Sequence, residues 1–339
     1  MQHTVFGLDL AKRVFQLHWV DVESGEIHRR QLKREELVEC FANREPAVIA
    51  MEACGSAHYW ARKLVAQGHE VRLIAGQFVR PFVKGNKNDA ADAQAIWEAA
   101  QRPGMKFVAV KSEAQQSILM LHRMREQLVK FRTMQVNQLR GLLYEFGAVL
   151  PQGRKQGLER IPEALASLED ILPSWALEAV RDQLRRIETI DGDIEKLEKK
   201  LAAWKKQEKA VQRLLTIPGV GLLTATAAVA TIGEAQAFKS GREFAAFVGL
   251  VPRQSGTGGR VKLLGISKRG DVYLRTLLIH GARSQISQGK QHSPWLEKLL
   301  ARKPFNAAVV ALANKMARTI WALLAHGRTY QTGYTARAV

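Results

Sequence analysis

The sequence predicts an α/β domain at the N-terminus followed by an all-α remainder, and three observations carry that reading. Three strand-like runs, TVFGLDL, VFQLHWVD and EIHRRQLK, fill residues 4–33, separated by polar turns such as ESGE. An apolar run, PAVIAMEA, an amphipathic segment, SAHYWARKLVAQ, and a further strand, HEVRLIAG, then alternate. Beyond residue 112 the strand patterning gives way to apolar residues spaced three and four apart.

Strands joined by short polar turns describe an antiparallel meander. An apolar strand followed by helix and strand describes a parallel, buried sheet. A helix over residues 34–43 joins the two parts. Three antiparallel strands followed by strand, helix and strand is the element order of a ribonuclease H-like fold.

From 112 to 147 a long amphipathic helix is predicted, with no Gly or Pro before Gly141 and with Leu121, Met124, Leu128 and Phe131 on its apolar face. Arg123, Arg125, Lys130, Arg132 and Arg140 lie on its other faces. Contact with phosphates and an ordinary solvated face both account for these cations. A looser stretch, LPQGRKQGLERIPE, leads to a second long helix starting near Trp175, in which Ile187, Ile190, Ile194, Leu197, Leu201 and Trp204 form a heptad seam. An intramolecular hairpin with the preceding helix and an intermolecular zipper both fit that seam.

The last third opens with LLTIPGVGLLTATAAVATIG, two apolar helices around a turn of Ile217, Pro218, Gly219, Val220 and Gly221. The turn resembles a helix-hairpin-helix, in which Gly219 and Gly221 would bare backbone N–H groups to a phosphate. A packing joint that uses glycines for closeness fits equally. A short helix, REFAAFVGL, a glycine-rich loop, VPRQSGTGGRVKLLGISKRG, and helices over 271–285 and 305–325 follow. The predicted division is 1–111, a 112–210 section of long helices or coiled coil, and 211–339.

Composition narrows the partners. Lys and Arg number 51 against 32 Asp and Glu, a formal charge of +19. A surplus of that sign concentrates polyanions and releases their counterions, so nucleic acid is the first expectation; a basic surface with no such role is the alternative. Cys40 and Cys54 lack Cys-x-x-Cys spacing, which argues against a disulfide framework or cysteine zinc site and fits a reducing cytoplasm. No run reaches the roughly 18 apolar residues of a membrane span, and the N-terminus reads as strand and not signal peptide. A soluble intracellular protein with no membrane partner is expected.

The chemistry is carried by acids. Asp9 ends one strand and Glu52 another, so neighbouring strands would bring both carboxylates to one sheet edge. Asp89 and Asp92, three apart in NKNDAADAQAI, share a helix face. Four converging carboxylates repel, and hard divalent cations relieve that repulsion. Magnesium is the natural occupant, and two ions about 4 Å apart can flank a scissile phosphate, which makes the constellation one for phosphoryl transfer. Taken singly, Asp9 starts a turn, Glu52 caps a helix, and Asp89 complements the dipole of a helix capped by Asn88. Ser255, in PRQSGTGG, is followed by Arg260, Lys262, Lys268 and Arg269 and preceded by Arg253. A glycine-flanked serine among cations has the access and electrostatics of a nucleophile, and the same residues form an ordinary turn.

The segments GLDLAK, MEACGSAHYWARKL, NKNDAADAQAI, TIPGVG and FAAFVGLVPRQSG together resemble the DEDD transposases of bacterial insertion sequences, the RNA-guided bridge recombinases, over nearly the whole chain. Within that family the sequence resembles the subgroup whose short guide is called a seekRNA. The resemblance implies a RuvC-like N-terminal domain, a coiled-coil middle and a C-terminal transposase domain. It implies that Asp9, Glu52, Asp89 and Asp92 hold Mg2+ and that Ser255 is the nucleophile. The serine of one subunit would meet the carboxylates of another and form a phosphoserine link to DNA. It further implies donor and target DNA, a guide noncoding RNA, dimers that pair as tetramers in synapsis, and a nucleoid-associated place in the bacterial cytoplasm. Two rivals stand beside it: a junction-resolving endonuclease in which the acids activate water, and a non-enzymatic nucleic-acid-binding protein.

Overall fold

A computed structural model of the chain describes residues 3–83, 89–289 and 292–331. The chain forms two compact units, Met1–Gln115 with Ile232–Lys239, and Gln116–Thr231 with Ser240–Val339.

In the first unit, β1 (Val5–Leu10), β2 (Val14–Val20) and β3 (Ile27–Lys33) form the antiparallel meander. After α1 (Glu36–Ala42), β4 (Val48–Glu52) pairs parallel with β1, and after α2 (Ala57–Ala66), β5 (Glu70–Ile74) pairs parallel with β4. A one-turn α3 (Gly76–Val79) and α4 (Asp89–Ala100) precede a short edge strand, β6 (Phe107–Val108). The sheet order is β3-β2-β1-β4-β5-β6. This mixed α/β unit followed by helices is consistent with the ribonuclease H-like expectation.

Strand alternation divides the sheet into two faces. Phe6, Leu8, Ile49, Met51 and Leu73 pack under α1 and α2 with Leu37, Phe41, Trp60 and Leu64. Val5, Ala50 and Ile74 face α4, which answers with Ala95, Ile96, Ala99 and Ala100. These small α4 residues let the helix lie close to the strands.

In the second unit, α5 (Glu113–Tyr144) and α7 (Ser174–Gln207) run antiparallel, as the pairing of Arg125 with Glu198, Arg132 with Asp191 and Gln138 with Gln183 shows. The heptad seam of α7 is consumed inside the chain: Ile187, Ile194, Leu197 and Leu201 are buried. The apolar face expected for α5 is displaced. Ile118, Val136, Leu139 and Leu143 are its buried apolar residues, with His122 buried beside them, whereas Met124 and Phe131 face outward. Arg125 and Arg132 occupy part of the inward face because acids on α7 meet them there.

The stretch read as loose forms α6 (Arg154–Ala166), whose Gly157, Ile161 and Leu165 repeat every four residues toward the same core. Its glycines and Pro162 hid that period. Then come α8 (Lys209–Leu214), α9 (Leu222–Ile232), α10 (Gly241–Phe247), β7 (Pro252–Thr257), β8 (Arg260–Ile266), α11 (Val272–Gln288), α12 (Pro294–Leu300) and α13 (Phe305–His326). By length and composition α13 could cross a membrane. It buries Ala308, Val309, Ala313, Met316, Ala317, Ile320 and Leu323 within the unit.

A buried chain of hydrogen bonds ties α5 to α9 and α11. Thr226 Oγ1 donates to the Leu222 carbonyl at 2.7 Å, so it accepts from His122 Nε2 at 3.0 Å. That leaves His122 Nδ1 to accept from the Tyr273 hydroxyl at 2.9 Å, and Arg125 donates to Tyr273 in turn. Burial, helped by the Arg125 charge, pushes the His122 pKa down to about 4 from 6.5. Between those values the unfolded chain binds the proton and the native chain does not, so stability rises with pH across this window and is lost as pH falls from about 6.5 to about 4. In urea titrations, His122→Leu is expected to destabilise the protein by about 1–3 kcal/mol at pH 7 and by less at pH 4.5. Equal losses at both pH values would contradict the neutral, doubly bonded imidazole.

Candidate metal and nucleic-acid site

The register of β1 on β4 runs Val5 with Val48 to Leu8 with Met51, and one further step sets Asp9 level with Glu52 on the sheet face toward α4. What brings α4 down onto that face is Gly7. A Cβ at this position would strike the Ala93 carbonyl and lie 2.7 Å from Trp97 Cβ. Without one, the first turn of α4 settles over the end of β1, and oxygens of Asp9, Asp89 and Asp92 lie within 4.8 Å of one another.

Glu52 is outside that close triad, yet near enough for its charge to raise the Asp9 pKa. Gly76 makes room for it: a Cβ there would lie 2.5 Å from Glu52 Oε1. The helix that follows, α2, takes Ser56 as its N-cap, so Glu52 is not spent as a cap. The cap read for Asn88 falls outside the described residues.

Burial raises the Asp9 pKa from 3.8 to about 6, and the charges of Asp92, Asp89 and Glu52 add to it. Among the described residues no Lys or Arg forms an ion pair with any of the four acids. Clustered carboxylate oxygens that no described Lys or Arg pairs fit a hard divalent ion, Mg2+ by donor type.

The predicted serine loop is instead a β-hairpin. Gly258 and Gly259 both have positive φ, +56° and +80°, as a two-residue turn between twisted strands requires. Cross-strand partners share a face. Ser255 opposite Lys262 and Thr257 opposite Arg260 make one polar, basic face; Gly256 opposite Val261 and Gln254 opposite Leu263 make the other. The register shifts at Arg253, between Pro252 and Gln254.

Both strands are exposed, and the stem is held from below. The buried Arg275 donates from Nη1 to the carbonyls of Val248, at 2.9 Å, and Arg269, at 3.2 Å. Gly249 and Gly270, at positive φ, sit where any Cβ would collide with the Arg269 and Phe247 carbonyls. Lys268 lies in this stem, its N–H donating to the Gly249 carbonyl.

The basic residues of α5 separate into two groups. Arg125 and Arg132 are bound to Glu198 and Asp191, and Lys130 to Glu126 on its own helix. Arg123 is exposed, and Arg140 lines a groove with Arg154, Asn137 and Thr133. Gly219 and Gly221 also part company. Gly219, at φ +83°, lies against Gly281 of α11, with only 2.8 Å from its absent Cβ to the Gly281 carbonyl, so packing accounts for it. Gly221 is exposed before α9.

Residues 6–147 match a DEDD family described as "Transposase", and residues 211–298 one described as "Transposase IS116/IS110/IS902 family". A probable family 20 transposase of Pseudomonas aeruginosa is 48% identical over 332 residues, covering 96% of this chain and 98% of the relative. The chain belongs to the IS110/IS116 transposase family. The transposase is similar as well to the Coxiella burnetii transposase for insertion sequence element IS1111A, at 43% identity over 97% of this chain and 92% of the relative. It is likewise similar to the Yersinia enterocolitica transposase for IS1328, at 39% identity over 96% and 98%.

Gly7, Gly76 and Arg275 escaped the sequence reading. Gly7 stands in plain view in GLDLAK, two residues before Asp9, but its contact with Ala93 and Trp97 is visible only in the fold. Isothermal titration of the transposase with Mg2+ should show affinity falling as pH drops through about 6, because a proton on Asp9 then competes with the ion. Gly7→Ala should weaken binding at pH 7.5 by about tenfold, roughly 1.4 kcal/mol, with far-ultraviolet dichroism unchanged. Affinity that is flat from pH 5 to 7.5, or untouched by Gly7→Ala, would contradict this geometry.

Proposed function

We propose that this transposase cuts and rejoins DNA by phosphoryl transfer, with Asp9, Glu52, Asp89 and Asp92 as the metal-holding acids and Ser255 as the nucleophile. The observation that carries the reading is the gathering of Asp9, Asp89 and Asp92 within 4.8 Å at the end of β1, with Glu52 level on the next strand. Bound Mg2+, as one ion or a pair, would supply Lewis-acid activation of the phosphate and neutralise charge on the leaving oxygen.

The chain's own residues supply the remainder. Ser255 Oγ bonds to phosphorus while the bond to one deoxyribose oxygen breaks, and that oxygen leaves as a hydroxyl. A deoxyribose hydroxyl of the exchanged strand then displaces Ser255 and restores the phosphodiester. Lys262 and Arg260, on the Ser255 face of the hairpin, bind the phosphate oxygens, and Arg253, Lys268, Arg269, Arg123, Arg140 and the exposed turn at Gly221 bind the flanking backbone. The acids belong to one unit and the serine to the other, which supports a site completed between subunits, with Ser255 of one copy serving the acids of another.

The family resemblance adds a guide RNA of the seekRNA type that pairs with donor and target DNA, tetramers of paired dimers in synapsis, and the nucleoid in the bacterial cytoplasm as the place of action. The net charge of +19 supports carrying RNA and DNA together. The three-part division, with a RuvC-like 1–111, a helical 112–210 and a transposase domain 211–339, belongs to the same proposal. One observation favours a second reading: the acid cluster lies entirely within a unit that has its own core, as metal-dependent hydrolysis by a junction-resolving endonuclease would need.

Denaturing gels of the transposase with labelled donor and target DNA and its co-purified RNA separate the two. Ser255→Ala should abolish both the covalent protein–DNA adduct and the recombinant product, while Asp9→Asn lowers both by at least about a thousandfold. Recombinant product from Ser255→Ala at the wild-type rate would remove the nucleophile and leave the endonuclease.

A further inference from the structure

The sheet face toward α4 continues past the acids. Asp9 of β1 pairs with Gln16 of β2, and Gln16 pairs in turn with Gln31 of β3. Cross-strand partners share a face, so the three side chains form one row from the acid cluster to the edge of the sheet. Neighbouring strands are about 4.8 Å apart, which puts the Gln16 backbone one spacing and the Gln31 backbone two, about 10 Å, from that of Asp9.

The adjacent row is closed by α4. There His18 packs edge-to-face on Trp97, with ring centroids 5.3 Å apart, and Arg29 donates to the Gln94 side-chain oxygen at 3.2 Å. One turn nearer its N-terminus, on the side that carries Gln94, the helix has Ala90 and Ala91, whose methyl groups cover little of the row beneath. Gln16 is accordingly half-buried and Gln31 exposed.

The two carboxamides are also unengaged. Gln94 is bound at both of its polar atoms, to Arg29 and to Glu98. Among the described residues, by contrast, the side chains of Gln16 and Gln31 make no hydrogen bond. The groups that act on the Asp9 carboxylate are Asp92, Asp89, Glu52 and the Leu10 N–H, so neither carboxamide serves to hold the acid.

We propose that Gln16 and Gln31 form a subsite for the DNA strand being cut, each donating from its carboxamide nitrogen to a phosphate on one side of the scissile one. The subsite rests on the acid cluster holding the scissile phosphate, and it deepens that reading. Phosphate oxygens accept, and a carboxamide offers them two N–H donors. A Lys or Arg at position 16 would add charge, but it would pair with the neighbouring Asp9 and relieve the repulsion that recruits a divalent ion. A neutral donor avoids that competition. Cationic charge returns at Lys33, exposed two residues farther along β3 on the same face and opposite Val14. The face thus grades from carboxylate through carboxamide to ammonium as it leaves the acids.

The test pairs protein variants with DNA in which single phosphates are replaced by uncharged methylphosphonates. Cleavage by the full chain with its co-purified RNA is followed as kcat/KM, the replacement being moved one phosphate at a time away from the cut. With wild-type protein, two replacements on one side should each lower kcat/KM about tenfold. Gln16→Leu should lower it about tenfold on ordinary DNA and lose little more from the replacement nearer the cut. Gln31→Ser, at an exposed position, should behave in the same way toward the farther one. For both variants, Mg2+ affinity without DNA and the melting temperature should match the wild type.

Losses that simply multiply, a farther phosphate coupled to Gln16 than to Gln31, or coupled phosphates on opposite sides of the cut would overturn the proposal. So would variants that lose the co-purified RNA and show no coupling to DNA phosphates. Asp9→Asn tells this failure from that of the underlying reading. Multiplying losses beside an inactive Asp9→Asn remove the subsite alone, whereas a fully active Asp9→Asn removes the metal site and the subsite with it.

Discussion

The seating of α4 on β1 is the constraint on which the rest depends. A sheet can bring Asp9 and Glu52 to one edge by register alone, but Asp89 and Asp92 reach them only because Gly7 has no side chain and the helix backbone descends to the strand. The energetic consequence is unfavourable in isolation. Carboxylates that are partly withdrawn from water and within 4.8 Å of one another push the pKa of Asp9 up to about 6. The fold tolerates this because the apolar packing of Ala50, Ile74, Ala95 and Ile96 beneath the site is extensive. Stored repulsion of this kind is what a divalent cation relieves.

The second unit shows a parallel use of small residues and a buried cation to hold an exposed segment in place. An isolated two-stranded hairpin is marginal in water, and β7–β8 has no core of its own. Its stem is held by Arg275 reaching two carbonyls and by Gly249 and Gly270 at positions closed to any Cβ. The result is a rigid base under a two-faced ribbon, with Ser255 and Lys262 on one side and Val261 and Leu263 on the other. The basic charge of the chain is likewise not uniform in use: Arg125 and Arg132 hold α5 to α7, whereas Arg123 stays exposed on the same helix.

Much of this was legible in the residues. Strand alternation with ESGE-type turns located β1 to β3, and the apolar run ending at Glu52 located β4 and its acid. Asp89 and Asp92 declared a shared helix face by their spacing. What stayed hidden depended on partners distant in the chain. The inward face of α5 was misread because Arg125 and Arg132 look solvent-bound until Glu198 and Asp191 are opposite them. The β7–β8 hairpin was read as loop because glycines and cations masked strand alternation, although Gly258 and Gly259 between strand-length segments are a hairpin signal. The α6 period was masked in the same way by Gly153, Gly157 and Pro162. Gly219, read as one half of an anion-binding turn, proves to be a contact with Gly281.

The central claim is that one pocket gathers these acids and holds a divalent ion against the DNA phosphate. Its most direct measurement is a crystal structure of the chain soaked in Mn2+, with the ion located by anomalous scattering. The account predicts a peak about 2.1–2.3 Å from oxygens of Asp9, Asp89 and Asp92, with Glu52 drawn toward it. Full occupancy elsewhere, with these carboxylates pointing apart and unliganded, would contradict it.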